Sequence, residues 1–289
     1  MPAEGGIRFG PYVLQRRIAR GGMAEVFLAQ QRGLEGAGRR VAIKRILPQL
    51  ANAPDFIQMF LDEAKLAAQL SHPNIVHIYD FGKVDADYFI AMEYVDGVHA
   101  GQVFRRANTD RLSPAMVARI GADAAAALHH AHELRAPGGQ PLGLVHRDLS
   151  PANLMVSFDG VVKLCPGLVK GKNAYMSPEQ TAGAALDGRS DVYALGIVLW
   201  ELLAGTVLVP HGDPAWAMRA IRSDNLTPIT RAAPWTPAPL AEAITWALAT
   251  RREQRATAAQ LAHTLEAFIK SSPEIATPMQ LGSWLRARF

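Results

Sequence analysis

The sequence of 289 residues has one cysteine, Cys165, no repeat or low-complexity tract, and no long apolar run free of charge and glycine. Each absence excludes something. A single cysteine rules out an internal disulfide and any zinc site built on cysteine pairs, and it fits a reducing compartment. The N-terminal MPAEGGIRFG has no apolar core behind a basic region. It does not read as a secretory leader, and the expected location is cytoplasmic. Residues 192–209 approach membrane length but carry Glu201 in their middle, with Gly196 and Gly205. A buried core helix is expected there, and no membrane association. Charge of one sign is also scarce, since 30 Lys and Arg stand against 26 Asp and Glu for a net +4. The basic residues are dispersed, with Arg39, Arg40 and Arg45 the nearest to a cluster. Binding to a phosphate backbone needs a focused basic face, so no nucleic acid partner is expected.

What is present is ample apolar material, 49% of the residues, enough for a large core. Short apolar runs rich in β-branched and aromatic residues at 12–18, 26–29, 41–44, 76–81 and 88–92 predict a strand-rich lobe. One helix interrupts it over 55–70, where Phe56, Phe60, Ala64, Ala67 and Leu70 recur at three- and four-residue steps with Glu63 beside the stripe. After Asp96-Gly97 the character turns helical. Ser113-Pro114 opens an alanine-rich helix to about residue 133. Short strands are predicted at 143–145, 154–156 and 161–164, with Asp159-Gly160 as a tight turn. Residues 228–239, rich in proline, read as a long ordered connection between helices. The expected organisation is an N-terminal extension 1–11, a small lobe 12–96, a large lobe 97–270 and a tail 271–289. In the tail, Leu281, Trp284, Leu285 and Phe289 suit either a partner or the chain's own large lobe.

Chemistry enters in a fixed order along the chain. The run Ile18-Ala-Arg-Gly-Gly-Met-Ala-Glu-Val26 joins two predicted strands, where small residues let backbone N–H groups approach phosphates. Alone it reads equally well as a plain hairpin. Val41-Ala-Ile-Lys44 then ends a strand, and a lysine there can reach two phosphates while pairing with a carboxylate such as Glu63. Val145-His-Arg-Asp-Leu-Ser-Pro-Ala-Asn153 puts a carboxylate, Asp148, and an amide, Asn153, on one short loop. The first can accept a hydroxyl proton and the second can ligate a metal. Tyr175-Met-Ser-Pro-Glu-Gln180 and Ser190-Asp-Val-Tyr-Ala-Leu-Gly196 complete the series.

With these motifs the chain resembles the bacterial eukaryotic-like Ser/Thr protein kinases from about Tyr12 to Phe268. The resemblance implies an α+β, bilobal fold with a small strand-rich N-lobe holding one helix and a large helical C-lobe. It implies ATP as ligand, with Ile18, Gly21, Val26, Ala42, Lys44, Glu63, Met92, Glu93 and Val95 as nucleotide-binding residues. Met92 would be the gatekeeper, 93–95 the hinge, and Lys44–Glu63 the ion pair of the small lobe. Asp148 would be the catalytic base and Asn153 its metal-holding companion. Asp191, Glu179 and Arg255 are implied as structural residues, the last two as an ion pair.

The resemblance breaks after the strand at 161–164. Relatives carry Asp-Phe-Gly there, whose aspartate grips magnesium, but here Leu164 is followed by Cys165-Pro166-Gly167 and no Asp or Glu occurs before Glu179. A deletion that removed the aspartate and most of the activation loop is favoured over a degraded triplet. The twelve residues from Cys165 to Met176 contain no Ser or Thr, which excludes activation-loop phosphorylation on those residues. Tyr175 is the segment's one hydroxyl and is expected to be packed. Asn153 alone makes an incomplete magnesium site, and Asp159 is accounted for by its turn. Ala19 and Ala24 replace two loop glycines, and Ser150 replaces the usual catalytic-loop lysine, a place that Lys172 is expected to fill. His129, His130 and His132 read as packing and dipole-favoured residues rather than metal ligands, and Cys165 as a buried inert thiol. The expected function is a pseudokinase regulator or scaffold that binds ATP or ADP, with a protein partner or substrate, another kinase among the candidates. The alternatives are an active Ser/Thr kinase and a nucleotide-independent interaction module.

Overall fold

A computed structural model describes residues 6–33, 38–106, 109–167, 173–210, 213–223 and 225–289. The chain forms two compact units. One is built from the chain up to Ser71 with Val76–Val95, the other from His72–Ile75 with Asp96–Phe289.

The first unit is an antiparallel sheet of six strands: β1 (Ile7–Phe9), β2 (Tyr12–Arg20), β3 (Ala24–Gln31), β4 (Arg39–Ile46), β5 (Ile78–Val84) and β6 (Asp87–Glu93). Their spatial order is β1-β2-β3-β4-β6-β5. Period-two alternation puts Leu14, Ala29, Val41, Ile43, Phe89 and Ala91 into one buried cluster with Phe9 and Tyr12. Phe89 meets the edges of Phe9 and Tyr12, at 5.4 and 5.6 Å between ring centroids. The same alternation sends Val26, Ala42, Lys44 and Met92 to the opposite face. Helix α1 (Pro54–Ala67) buries Phe60, Ala64 and Ala67, with Asp55 in its first turn and Lys65 in its last, as the helix dipole favours. Strand β1 lies inside the stretch read as an extension. Gly10, at φ +52, turns it back onto β2.

The second unit begins with β7 (Gly97–His99) and α2 (Ala100–Arg106), followed by α3 (Pro114–His132), β8 (Leu154–Ser157) and β9 (Val162–Leu164). The last two strands join β7 in a three-stranded sheet. Then come α4 (Pro178–Thr181), α5 (Arg189–Ala204), α6 (Pro214–Arg222), α7 (Ile229–Ala232), α8 (Ala238–Ala247), α9 (Ala258–Ser271) and α10 (Pro278–Arg286). Helices α3, α5 and α9 form the core, and α5 is buried on all sides from Ser190 to Leu203. It ends at Gly205 in the left-handed region, φ +69, before it reaches membrane length. Among the described residues no helix is long and apolar enough to cross a membrane.

Two sequence expectations fail here. Residues 143–145 form no strand. Gly143 sits at φ +59, and the following N–H groups of His146 and Arg147 go to Asp191 instead of a neighbouring strand. Residues 228–239 are not one connection, because Pro228 and Pro237 occupy the N-cap positions of α7 and α8. Proline lacks only an N–H that a helix start leaves unused.

Candidate functional site

The first unit carries a turn, a lysine and the end of a strand that the sequence singled out. Gly21 donates its N–H to the carbonyl of Ala24 at 2.8 Å, closing the β2–β3 turn. A Cβ at Gly22 would meet nothing within 4 Å, so the glycine is not required by the protein's own packing there. Val26 lies across from Lys44, and Ala42 across from both Leu28 and Met92, so all share one face. Ala42 and Met92 are buried and Ile18 is exposed. Lys44 and Glu63 are both half-buried, on β4 and α1. Glu93 ends β6, where its N–H reaches the His77 carbonyl at 2.8 Å and its carboxylate accepts from the His77 N–H at 3.2 Å. Val95 is the last residue of this unit.

The second unit, taken by itself, carries the loop between α3 and β8. Asp191, buried near the start of α5, accepts from the N–H of His146 at 2.8 Å, the N–H of Arg147 at 2.9 Å and Nε2 of His132 at 2.8 Å. This clamp holds Arg147 at φ +63, a left-handed conformation costly for a residue other than glycine. His146 Nε2 meets the carbonyl of Cys165 at 2.8 Å, so that nitrogen carries the proton, and Nδ1 accepts the Asp148 N–H at 3.3 Å. Asn153 donates through Nδ2 to both the carbonyl and the carboxylate of Asp148, each at 2.8 Å. The backbone carbonyl of Asn153 accepts the Cys165 N–H at 2.8 Å.

The segment after β9 is therefore tied to the loop at Cys165. A Cβ at Gly167 would lie 2.8 Å from both Asp148 Cβ and His146 Cε1, so only glycine fits this close approach. The segment thus approaches Asp148 at Gly167, and Cys165, Pro166 and Gly167 bring no carboxylate with them. Cys165, expected to be buried, is half-buried. Among the described residues no group of three metal-ligating side chains exists. On the loop itself, the Asn153 side-chain NH2 is turned to the Asp148 carboxylate. Ser150 is buried, and Lys172 lies outside the described residues.

Glu179 and Arg255 form a buried ion pair, with Nη1 and Nη2 of the guanidinium reaching the two carboxylate oxygens at 2.7 and 3.1 Å. Ser190 donates its hydroxyl to the same carboxylate at 2.7 Å. Arg255 also donates to the carbonyls of Arg189, Ala249 and Thr250, so most of its N–H groups are met. Burial alone would raise the Glu179 carboxyl, but these hydrogen bonds and the Arg255 charge hold it down to about 2.

Tyr175 is buried, and its hydroxyl donates to Glu201 Oε2 at 2.9 Å. Burial first, then the Glu201 charge, pushes this phenol far above its ordinary value. Glu201 also accepts the Leu208 N–H at 3.2 Å, which explains a carboxylate in the middle of the most apolar helix. Tyr175→Phe is expected to cost about 1–3 kcal/mol, since a buried carboxylate oxygen loses its donor. Urea denaturation of the two proteins measures it, and a change under about 0.5 kcal/mol would contradict the role.

The histidines of α3 divide their tasks. His132 supports Asp191, and His130 packs on His72 with ring centroids 5.2 Å apart. The sequence offered no local signal for His132, whose partner is on α5. Asp159 is exposed at the β8–β9 turn and pairs with Arg286 of the tail at 3.4 Å, far in role from a metal ligand.

The model of the protein kinase domain family matches residues 12–265 of this chain. Over 97% of its length the chain is 40% identical to the tyrosine-protein kinase MasK of Myxococcus xanthus, covering 46% of that protein. Over 96% it is 35% identical to the serine/threonine-protein kinase PknB of Mycolicibacterium smegmatis, again covering 46%. The chain spans about half the length of these curated relatives. Among solved structures, the PknI kinase domain of Mycobacterium tuberculosis superposes with a TM-score of 0.72 at 30% identity, over 92% of this chain and 99% of that one.

Proposed function

The chain belongs to the protein kinase family, and on that premise we propose that it binds ATP or ADP, is impaired in phosphoryl transfer, and acts in the cytoplasm as a regulator or scaffold of a protein partner such as another kinase. The observation that carries this reading is the end of β9, where His146 and Asn153 fasten Cys165 and no carboxylate follows before Glu179. Phosphoryl transfer depends on positioning and on neutralising phosphate charge, so a magnesium site lacking its carboxylate removes a large part of the catalysis. In this reading Ile18, Gly21, Val26, Ala42, Met92, Glu93 and Val95 serve the nucleotide's base and loop contacts, and Lys44, oriented by Glu63, serves its phosphates. Asp148 remains able to accept a hydroxyl proton.

Thermal denaturation with ATP, with magnesium and with a chelator, tests nucleotide binding. A ligand bound only by the folded state at 100 times its Kd stabilises by about 2.7 kcal/mol. The expected result is the same upward shift with and without metal. No shift under either condition would favour a nucleotide-independent module, and a shift only with magnesium would contradict the incomplete metal site.

A second reading, an active kinase, is favoured by the intact Asp148–Asn153 geometry and the kinase names of the relatives. The first reading makes its own prediction for Cys165→Asp. If the aspartate was lost together with most of the activation loop, restoring one carboxylate leaves transfer to a generic protein acceptor at background. A working kinase from this single change would overturn the deletion reading.

A further inference from the structure

We propose that the tail helix α10, which lies beyond the residues matched by the kinase family model, is a strap that holds the β8–β9 hairpin and so keeps the stretch from Asn153 to Cys165 in register. Two glycines make the contact. A Cβ at Gly282 of α10 would come within 2.5 Å of the Phe158 carbonyl oxygen and 3.0 Å of the Gly160 nitrogen. A Cβ at Gly160, itself at φ +79, would collide with the Pro278 carbonyl. Helix and turn thus meet backbone to backbone, which no other residue pair permits.

Charged and apolar contacts secure the approach from both sides. Arg286 donates to the Phe158 carbonyl and lies 3.4 Å from the Asp159 carboxylate. Arg288 grips Asp110, between α2 and α3, through Nε and Nη2, the latter at 2.8 Å. Upstream, Arg119 of α3 donates to the Ala276 carbonyl at 3.4 Å, while Leu281 and Leu285 are buried. A capping box between Thr277 and Gln280 starts the helix at the contact.

The hairpin is a point from which order can spread. Its Phe158 N–H bonds the Asp96 carbonyl at 2.8 Å, at the residue following the expected hinge, and β7 pairs with β8 directly beyond. β8 follows Asn153 and β9 precedes Cys165, so both strands of the hairpin end at the catalytic loop. Release of α10 would free the turn and leave the two ends to strand pairing and to the bonds that Asn74, His146 and Asn153 make with Val162, Leu164 and Cys165.

Hydrogen exchange without nucleotide tests this directly, so the outcome does not depend on whether ATP binds. The reporters are the amides of Ser157, Phe158, Leu164 and Cys165. Gly282→Val is expected to speed their exchange by about tenfold or more while α3 and α5 keep their protection. Arg286→Ala should do the same to a smaller extent and keeps the test decisive if the valine prevents folding. Met279→Ser, at a position 75% exposed, should change nothing at the hairpin. If α10 loses protection in either variant and the hairpin keeps its own, the strap is refuted.

Discussion

Arg255→Met is expected to cost about 3–5 kcal/mol of folding stability, because it leaves the Glu179 carboxylate buried without its cation. The Arg255 side chain is 0% exposed and serves carbonyls of three residues besides Glu179, so water cannot replace it without opening the base of α5. The same pair fixes a pH signature. Glu179 titrates near 2 in the folded protein against an ordinary value of 4.5, so folding favours its ionised form. Its contribution is complete above about pH 4.5 and is lost as pH falls toward 2. In Arg255→Met the carboxylate keeps its burial and loses its strongest counterweights. The acid-side loss of stability between pH 4.5 and 2 should therefore shrink in the variant. Urea midpoints across that range measure both effects. A variant within about 1 kcal/mol of the parent, with the same acid slope, would contradict them.

The second large effect is expected at Asp191. Asp191→Ala deprives the His146 and Arg147 amides of their acceptor and strands His132 Nε2. Each unmet buried group costs about 1–3 kcal/mol, so a loss of about 3–5 kcal/mol is expected. The loop should suffer more than the average. Arg147 keeps its φ of +63 only while two amides converge on one carboxylate, and release lets it relax to an ordinary conformation. Hydrogen exchange at 146–153 should rise before the helical core responds. Asp191→Asn, which fills the same space but turns an NH2 toward N–H donors, should recover only part of the loss. Unchanged protection at 146–153 in both variants would show that the loop is held by something else.

These effects illustrate which features were legible in the sequence. The strands of the first unit were, because alternation is local: Val41 and Ile43 enter the core while Ala42 and Lys44 face away. The loop motif from Val145 to Asn153 was also legible, since Asp148 and Asn153 are near neighbours in sequence and bond to each other. What was not legible is non-local. Gly143 to Val145 has the composition of a strand, yet the amides that follow find their acceptor on α5. Pro228 and Pro237 look like helix breakers and instead stand at helix starts. The tight turn at Asp159-Gly160 could be read from its two residues, but its pairing with Gly282 could not, since backbone contact between distant glycines leaves no periodic mark. Even the lone carboxylate of the apolar stretch, Glu201, made sense only once Tyr175 and Leu208 were seen to meet it.

The missing carboxylate after β9 is the feature on which the functional reading turns. The most direct test is transfer of the ATP γ-phosphate from purified full chain, with magnesium or manganese, to a generic protein acceptor and to the chain itself. The account requires nucleotide binding in the same preparation and transfer no greater than that of Asp148→Asn. Transfer that is measurable in the parent chain and abolished in Asp148→Asn would contradict it and establish an active kinase.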